Sequence, residues 1–327
     1  MRPGTNTSRA LRALGLSASV AALCGCGSGS TPSTSTGAST TNITVKTGSQ
    51  GSTRSGTVVH HPRPAPPSVV ASSLGNAAAP FAPVVRWRGQ TAAWTARTAG
   101  GIALLRLDQR LVRLHLHSGT LDAGAGFPFG PAADARETGR LVAAFNGGFR
   151  LNVGVGGFAA GGHVAVALRA GLGSVVTYAT GRTDIGSWHT EVPAAGQPIA
   201  SVRQNLTLLI DQGHVAQTVN CLACWGATLG HVSDPARSAL GITGDGQLVW
   251  AGGEHATVIQ LAQALVSAQV IRAVELDINP EWVAGYVYGH HGRHGPLTAL
   301  QLVPAQHGVA GFFLSPYSRD FFTVVAR

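Results

Sequence analysis

The sequence predicts an α+β protein: a strand-rich mixed sheet with hairpins and a few helices, folded as a single globular domain. Three observations predict it. Apolar residues recur in short runs, several of which alternate with polar ones, as Leu114 and Leu116 do against Arg113, His115 and His117. The runs are separated by turns rich in Gly, Asn and Asp. One stretch switches to helical spacing, with Val258, Leu261, Ala262, Leu265 and Val266 on one face. A hydrophobic content of 44% against 11% charged residues is ample for a core.

The front of the chain reads differently. Arg2, Arg9 and Arg12 precede a short apolar run from Leu11 to Leu23, the pattern of a signal peptide and too short to span a membrane stably. Leu23-Cys24-Gly25-Cys26 resembles a bacterial lipobox, which makes residues 1–26 a lipoprotein signal with lipidation at Cys26. Residues 27–80 are rich in Ser, Thr, Gly and Pro and hold too few apolar groups to pack, so a disordered tether is expected. The mature protein is therefore expected outside the cytoplasm, lipid-anchored on the outer face of the cell membrane or secreted. The net charge of +9 comes almost wholly from arginine, with Lys46 the one lysine, as a GC-rich genome produces. The arginines are scattered and few aromatics interleave with them, so no nucleic-acid partner is expected.

The globular part is expected over residues 84–327. Gly101–Leu107 and Leu111–His117 read as a hairpin across Asp108-Gln109-Arg110, and the Ala123–Arg140 region as a loop with at most a short helix. Leu141–Phe145 is a buried strand that delivers Asn146-Gly147-Gly148-Phe149. The paired glycines allow positive φ and close approach to a ligand, and Asn146 both donates and accepts; a plain turn is the bland alternative. The Gly154–Gly162 loop is not a GxGxxG motif, which argues against a dinucleotide fold. Cys221-Leu-Ala-Cys224 reads as a local disulfide in an exported protein, since a zinc site needs a second ligand pair. His290-His291-Gly292-Arg293-His294 lacks a carboxylate, so a solvated tip is expected and no metal or other cofactor is assigned.

Arg237 to Trp282 is read as strand, turn, strand, helix, strand. Ser238–Thr243 and Gln247–Trp250 flank Gly244-Asp245-Gly246, a hairpin turn. Thr257 and Gln260 match a capping box. Along the closing strand, Ile271–Ile278, alternation puts Val274, Leu276 and Ile278 on one face and Glu275 and Asp277 on the other. Two carboxylates running into Asn279-Pro280-Glu281-Trp282 read as a site.

Asn146-Gly147-Gly148-Phe149, then Arg237-Ser238-Ala239-Leu240-Gly241-Ile242 with Asp245-Gly246, then a helix leading into Glu275-Leu276-Asp277, resembles the phosphodiester glycosidase domain family. The order and spacing hold over residues 84–327, with a departure at Ile278-Asn279-Pro280-Glu281, where the family has glycines and a serine. The resemblance implies release of a sugar from a sugar phosphodiester, with a carbohydrate or sugar-phosphate polymer as partner. It places Asp277 as nucleophile or electrostatic stabiliser and Arg237 as the guanidinium that grips phosphate with two parallel bonds. Asn146 and the Gly147 and Gly148 amides complete the cradle, with Asn279 beside them. Glu275 and Glu281 compete for a second acid/base role. A non-catalytic saccharide- or wall-binding lipoprotein, and a metal-dependent phosphodiesterase using the histidine loop, are the other readings.

Overall fold

The computed structural model describes residues 40–43, 56–59, 80–226, 232–290, 297–308 and 311–327. The chain divides into two units, Met1–Val70 and Ala71–Arg327. In the first, Thr40–Ile43 and Gly56–Val59 pair antiparallel, within the stretch read as a tether. The signal segment, Cys26, the remaining tether residues up to 79 and His291–His294 lie outside the described residues.

The second unit corrects the α+β, mixed-sheet expectation: it is a mostly-β fold of three sheets whose strand pairs are all antiparallel. An eight-stranded sheet runs in the order His214–Val215, Leu208–Asp211, Val270–Glu275, Arg237–Thr243, Leu248–Gly253, Ala103–Leu107, Gln90–Arg97, Ala82–Trp87. A five-stranded sheet has the order Leu297–Gln301, Gly285–His290, Leu141–Asn146, Phe321–Ala326, Val112–His117. The third, also five-stranded, has the order Thr183–Ser187, Gly173–Tyr178, Ile199–Gln204, Phe158–Ala160, His163–Val166. Among the described residues only Ala135–Thr138 and Val258–Ser267 are α-helical.

The physical reason lies in the one long helix. Leu248–Gly253 and Val270–Glu275 both run antiparallel to Arg237–Thr243, one on each side of it. They therefore point the same way, and a chain joining two such strands must cross over the sheet, which the helix does. A βαβ-like pattern in sequence thus encodes an antiparallel sheet with the crossover straddling its central strand. Thr257 accepts from the Gln260 amide and Gln260 reaches back, the capping box expected there.

The Asp108–Arg110 turn also differs from its reading as a hairpin. Asp108 binds the Arg110 amide and guanidinium, and the chain passes there from the large sheet, Ala103–Leu107, into the five-stranded one, Val112–His117. Alternation alone cannot distinguish two strands of a hairpin from two strands of facing sheets.

The main core joins Leu105, Leu240, Trp250 and Val274 of the large sheet, and Leu276 just beyond it, to Leu114, Phe145 and Phe322 of the second and Phe158 and Val175 of the third. Trp250 is fully buried and stacks on Phe145 at 6.0 Å between centroids. Its indole occupies room left by Gly252 and Gly285, where a Cβ would come within 2.3 and 2.7 Å of the ring. The helix closes the opposite face of the large sheet, with Val258, Leu261 and Leu265 on Ala239, Val249 and Ala273.

Candidate functional site

Asn146 ends a strand lying between Gly285–His290 and Phe321–Ala326, and it is 2% exposed. Its backbone N–H donates to the Ala284 carbonyl at 3.1 Å and its Nδ2 to Ser238 Oγ at 2.9 Å. The two glycines that follow do not take positive φ. Sterics demand them instead: a Cβ on Gly147 would lie 1.9 Å from Asp320 Oδ2, and one on Gly148 2.3 Å from Asn205 Oδ1. The close approach is to the protein's own buried polar groups. Arg203, 1% exposed, grips Asp320 through Nε at 2.7 Å and Nη2 at 3.0 Å, and also binds the carbonyls of Phe149 and Gln204. That clamp ties the third sheet to the Asn146 loop.

Ser238 joins the loop to the large sheet. Its N–H donates to the Asp277 carbonyl at 2.9 Å, and its Oγ accepts from the Asp277 N–H at 3.3 Å. The strand ends at Glu275, so Asp277 lies just beyond it, in a turn. Asp277 Oδ1 accepts from the amides of Ile278 at 2.7 Å and Asn279 at 3.0 Å, and Oδ2 accepts from Arg319 Nη2 at 3.3 Å. Burial pushes the Asp277 carboxyl up to about 6, against the opposing pull of Arg319 and the two amides.

Arg319 is the hub. Its Nε donates to Asp122 Oδ2, its Nη2 also reaches the Gly148 carbonyl at 2.8 Å, and the Trp282 ring lies 5.1 Å from its Cζ. Its Nη1 is buried and has no partner among the described residues.

Arg237 and Glu275 lie on the other face of the sheet, the face covered by the helix. Arg237 Nη1 donates to Glu275 Oε1 at 2.7 Å and to the Trp225 carbonyl at 3.1 Å, and Nε to the Ala256 carbonyl at 2.9 Å. Both are 0% exposed. Burial drives the Glu275 carboxyl up to about 8, with Arg237 opposing. Glu281 is exposed and pairs with His307 at 3.3 Å, while the Asn279 side chain accepts from the Glu281 amide at 3.0 Å.

Of the residues singled out in the sequence, Asn146, Gly148 and Asp277 therefore meet through Ser238 and Arg319. Gly147 lies against Asp320, and Asn279 serves the Asp277 turn. Arg237 and Glu275 meet each other instead, and Glu281 stands outside. Sequence reasoning missed Ser238, Arg319, Asp122 and the Arg203–Asp320 clamp. The one signal was the charged Arg319-Asp320 pair abutting the apolar run Phe321–Val325, and it pointed to none of their partners. Cys221 and Cys224 are joined as a disulfide. Among the described residues no cluster of three His, Cys, Asp or Glu side chains is arranged to hold a metal, and no helix is long and apolar enough to cross a membrane.

No family model and no curated protein matches the chain. Among solved structures it is similar to the catalytic domain of zebrafish N-acetylglucosamine-1-phosphodiester alpha-N-acetylglucosaminidase, auto-inhibited by its pro-peptide, at 15% identity, over 78% of this chain and 85% of that one, with a TM-score of 0.45. A hypothetical protein from Synechocystis follows at 12% identity, 73% and 63% coverage and a TM-score of 0.40. A Burkholderia pseudomallei protein described as exported gives 11%, 72% and 75%, and 0.31. These are likenesses of fold at most, and the chemistry is read from the chain's own residues.

Proposed function

We propose that the chain is an exported hydrolase that cleaves a sugar from a phosphodiester, with Asp277 and Arg319 at the reacting centre. The observation that carries the reading is the convergence of Asn146, Ser238, Asp277 and Arg319, drawn from distant parts of the sequence, on one buried position. Cleavage breaks the bond from the anomeric carbon to the phosphate oxygen, whose electron pair leaves with the phosphate. Water supplies the hydroxyl to the sugar and releases a proton. Asp277 supplies the carboxyl group beside the developing positive charge, and Arg319 supplies a planar cation for the phosphate. Arg319 replaces Arg237 in that role, because Arg237 is consumed by Glu275 on the far face. No metal or other cofactor enters the scheme. The expected setting is outside the cytoplasm, with a wall or exopolysaccharide polymer as substrate.

The test is incubation of the folded domain with an N-acetylglucosamine-1-phosphodiester and detection of free sugar. Asp277→Asn is expected to lower release by roughly a hundredfold or more; release equal to that of the parent chain would falsify the reading. One observation favours a second reading, a non-catalytic saccharide-binding protein. The Asp277 carboxylate already closes its own turn and pairs with Arg319, as a purely structural residue does. Binding of the diester without sugar release selects that reading.

A further inference from the structure

We infer that Arg319 is an anion-accepting position and that filling it is coupled to uptake of a proton by Asp277. The identity of the anion, an oxyanion of the phosphoryl type, rests on the hydrolase reading above; the coupling does not.

The charge balance around Arg319 is uneven. One guanidinium faces two carboxylates, Asp122 on Nε and Asp277 on Nη2, and all three side chains are almost wholly buried. The other charged groups nearby are already matched. Asp320, next to Arg319 in sequence, is closed by Arg203, and Glu275, two residues before Asp277, gives one oxygen to Arg237 on the opposite face. The Tyr317 hydroxyl, close enough to feel both Arg319 and Asp277, stays neutral because burial pushes its pKa far up. The site therefore carries one net negative charge when both Asp122 and Asp277 are ionised.

Two donors wait beside this triad. Arg319 Nη1 and the Tyr317 hydroxyl are buried and have no acceptor among the described residues. Buried donors are satisfied in the great majority of cases, and an oxyanion accepts from both kinds. Bringing an anion to a site already net negative, in a medium of low dielectric, is strongly opposed unless one negative charge is removed. Protonating a carboxyl removes it. Asp122 has Nε to itself, whereas Asp277 shares Nη2 with the Gly148 carbonyl, which takes the bond at 2.8 Å and leaves Asp277 at 3.3 Å, so Asp277 is the group that gives way. A protonated Asp277 still accepts from the Ile278 and Asn279 amides through Oδ1, and Arg319 is freed to turn its charge on the anion. The proton is then stored beside the bound anion, and in the hydrolase it passes to the leaving phosphate oxygen, which returns Asp277 to the carboxylate that faces the developing positive charge.

The probe is inorganic sulfate, a tetrahedral dianion that does not itself titrate near neutrality. The oxidised full chain is titrated with sulfate by calorimetry at pH 7, in two buffers of different ionisation heat. The expected result is uptake of about one proton per anion, with affinity weakening about tenfold per pH unit above neutrality. Asp277→Asn, which keeps an acceptor oxygen for the turn, should bind sulfate with no proton uptake and little pH dependence. Arg319→Gln should bind none; should that variant fail to fold, the Asp277→Asn comparison decides alone. Sulfate binding without proton uptake, equal uptake in Asp277→Asn, or no binding to the parent chain overturns the inference. Proton-linked binding in a chain that releases no sugar sinks the hydrolase reading and leaves this one standing, and sugar release without proton uptake does the reverse.

Discussion

Arg237 and Glu275 are paired where no water reaches, and the guanidinium is held there by Glu275 and by the carbonyls of Trp225 and Ala256. Above about pH 8, where Glu275 is ionised, Arg237→Met leaves a carboxylate buried and unpaired and is expected to destabilise the domain by about 3–5 kcal/mol in urea unfolding. A loss below about 1 kcal/mol would mean that Glu275 is held neutral and needs no partner. The pH dependence follows from the direction of the shifts. Folding raises both Glu275 and Asp277, so the folded chain keeps their protons to higher pH than the unfolded chain. Their contribution to stability is complete below the ordinary carboxyl range near pH 4. It is lost as pH rises through about 6 for Asp277 and about 8 for Glu275. Glu137 runs the other way: against its burial, hydrogen bonds from His115 and His117 hold it far below its usual range, and its contribution is lost on acidification. The urea midpoint should therefore decline between pH 5 and 8, and Glu275→Gln should flatten that decline; an unchanged slope contradicts the assignment. At this scale the sequence was a partial guide. It marked Asp277 and Asn146, but whether a strand carboxylate meets substrate or an arginine depends on what covers its face of the sheet. For Glu275 that cover is a helix and Trp225.

Among the elements, the hairpin Arg237–Gly253 and the helix after it were legible because their signals are local. Gly246 has φ +83, as the turn requires, and the Thr257 cap satisfies amides within its own first turn. Thr257→Ala removes that acceptor and should cost about 1 kcal/mol by urea unfolding, with the strands unchanged by circular dichroism. A loss nearer zero would show that the helix is held by its apolar face alone. What was not local was sheet membership. Ala103–Leu107 and Val112–His117 alternate like partners yet belong to different sheets, since the same inward-facing leucines satisfy either arrangement.

Over the whole molecule, the candidate site is a junction. Asn146 comes from one five-stranded sheet, Ser238 from the eight-stranded one, and Arg203 reaches in from the third. The core beneath the junction is pinned by Trp250, whose ring abuts Gly285 one residue from the Ala284 that pairs with Asn146. Trp250→Ala should cost about 3–5 kcal/mol and speed hydrogen exchange at the Asn146 and Ser238 amides together. Exchange quickened at only one of them would mean that the sheets are not coupled through this ring. Arg319 and Asp122 were illegible for the same reason that the junction exists. They are 197 residues apart, and nothing in either neighbourhood announces the other.

The Cys221–Cys224 bridge closes a ring of four residues immediately before the buried Trp225, whose carbonyl holds Arg237, and Gly226 next to it lies against Ile278 and Phe149. Both cysteines are exposed to solvent. The practical consequence concerns preparation. Chain made in a reducing cytosol will carry the two thiols open, and the segment that touches both faces of the sheet will be tethered at one point fewer. A failed assay on such material says nothing about the proposed hydrolysis, so oxidising expression, or a thiol count before each measurement, is part of any fair trial of it.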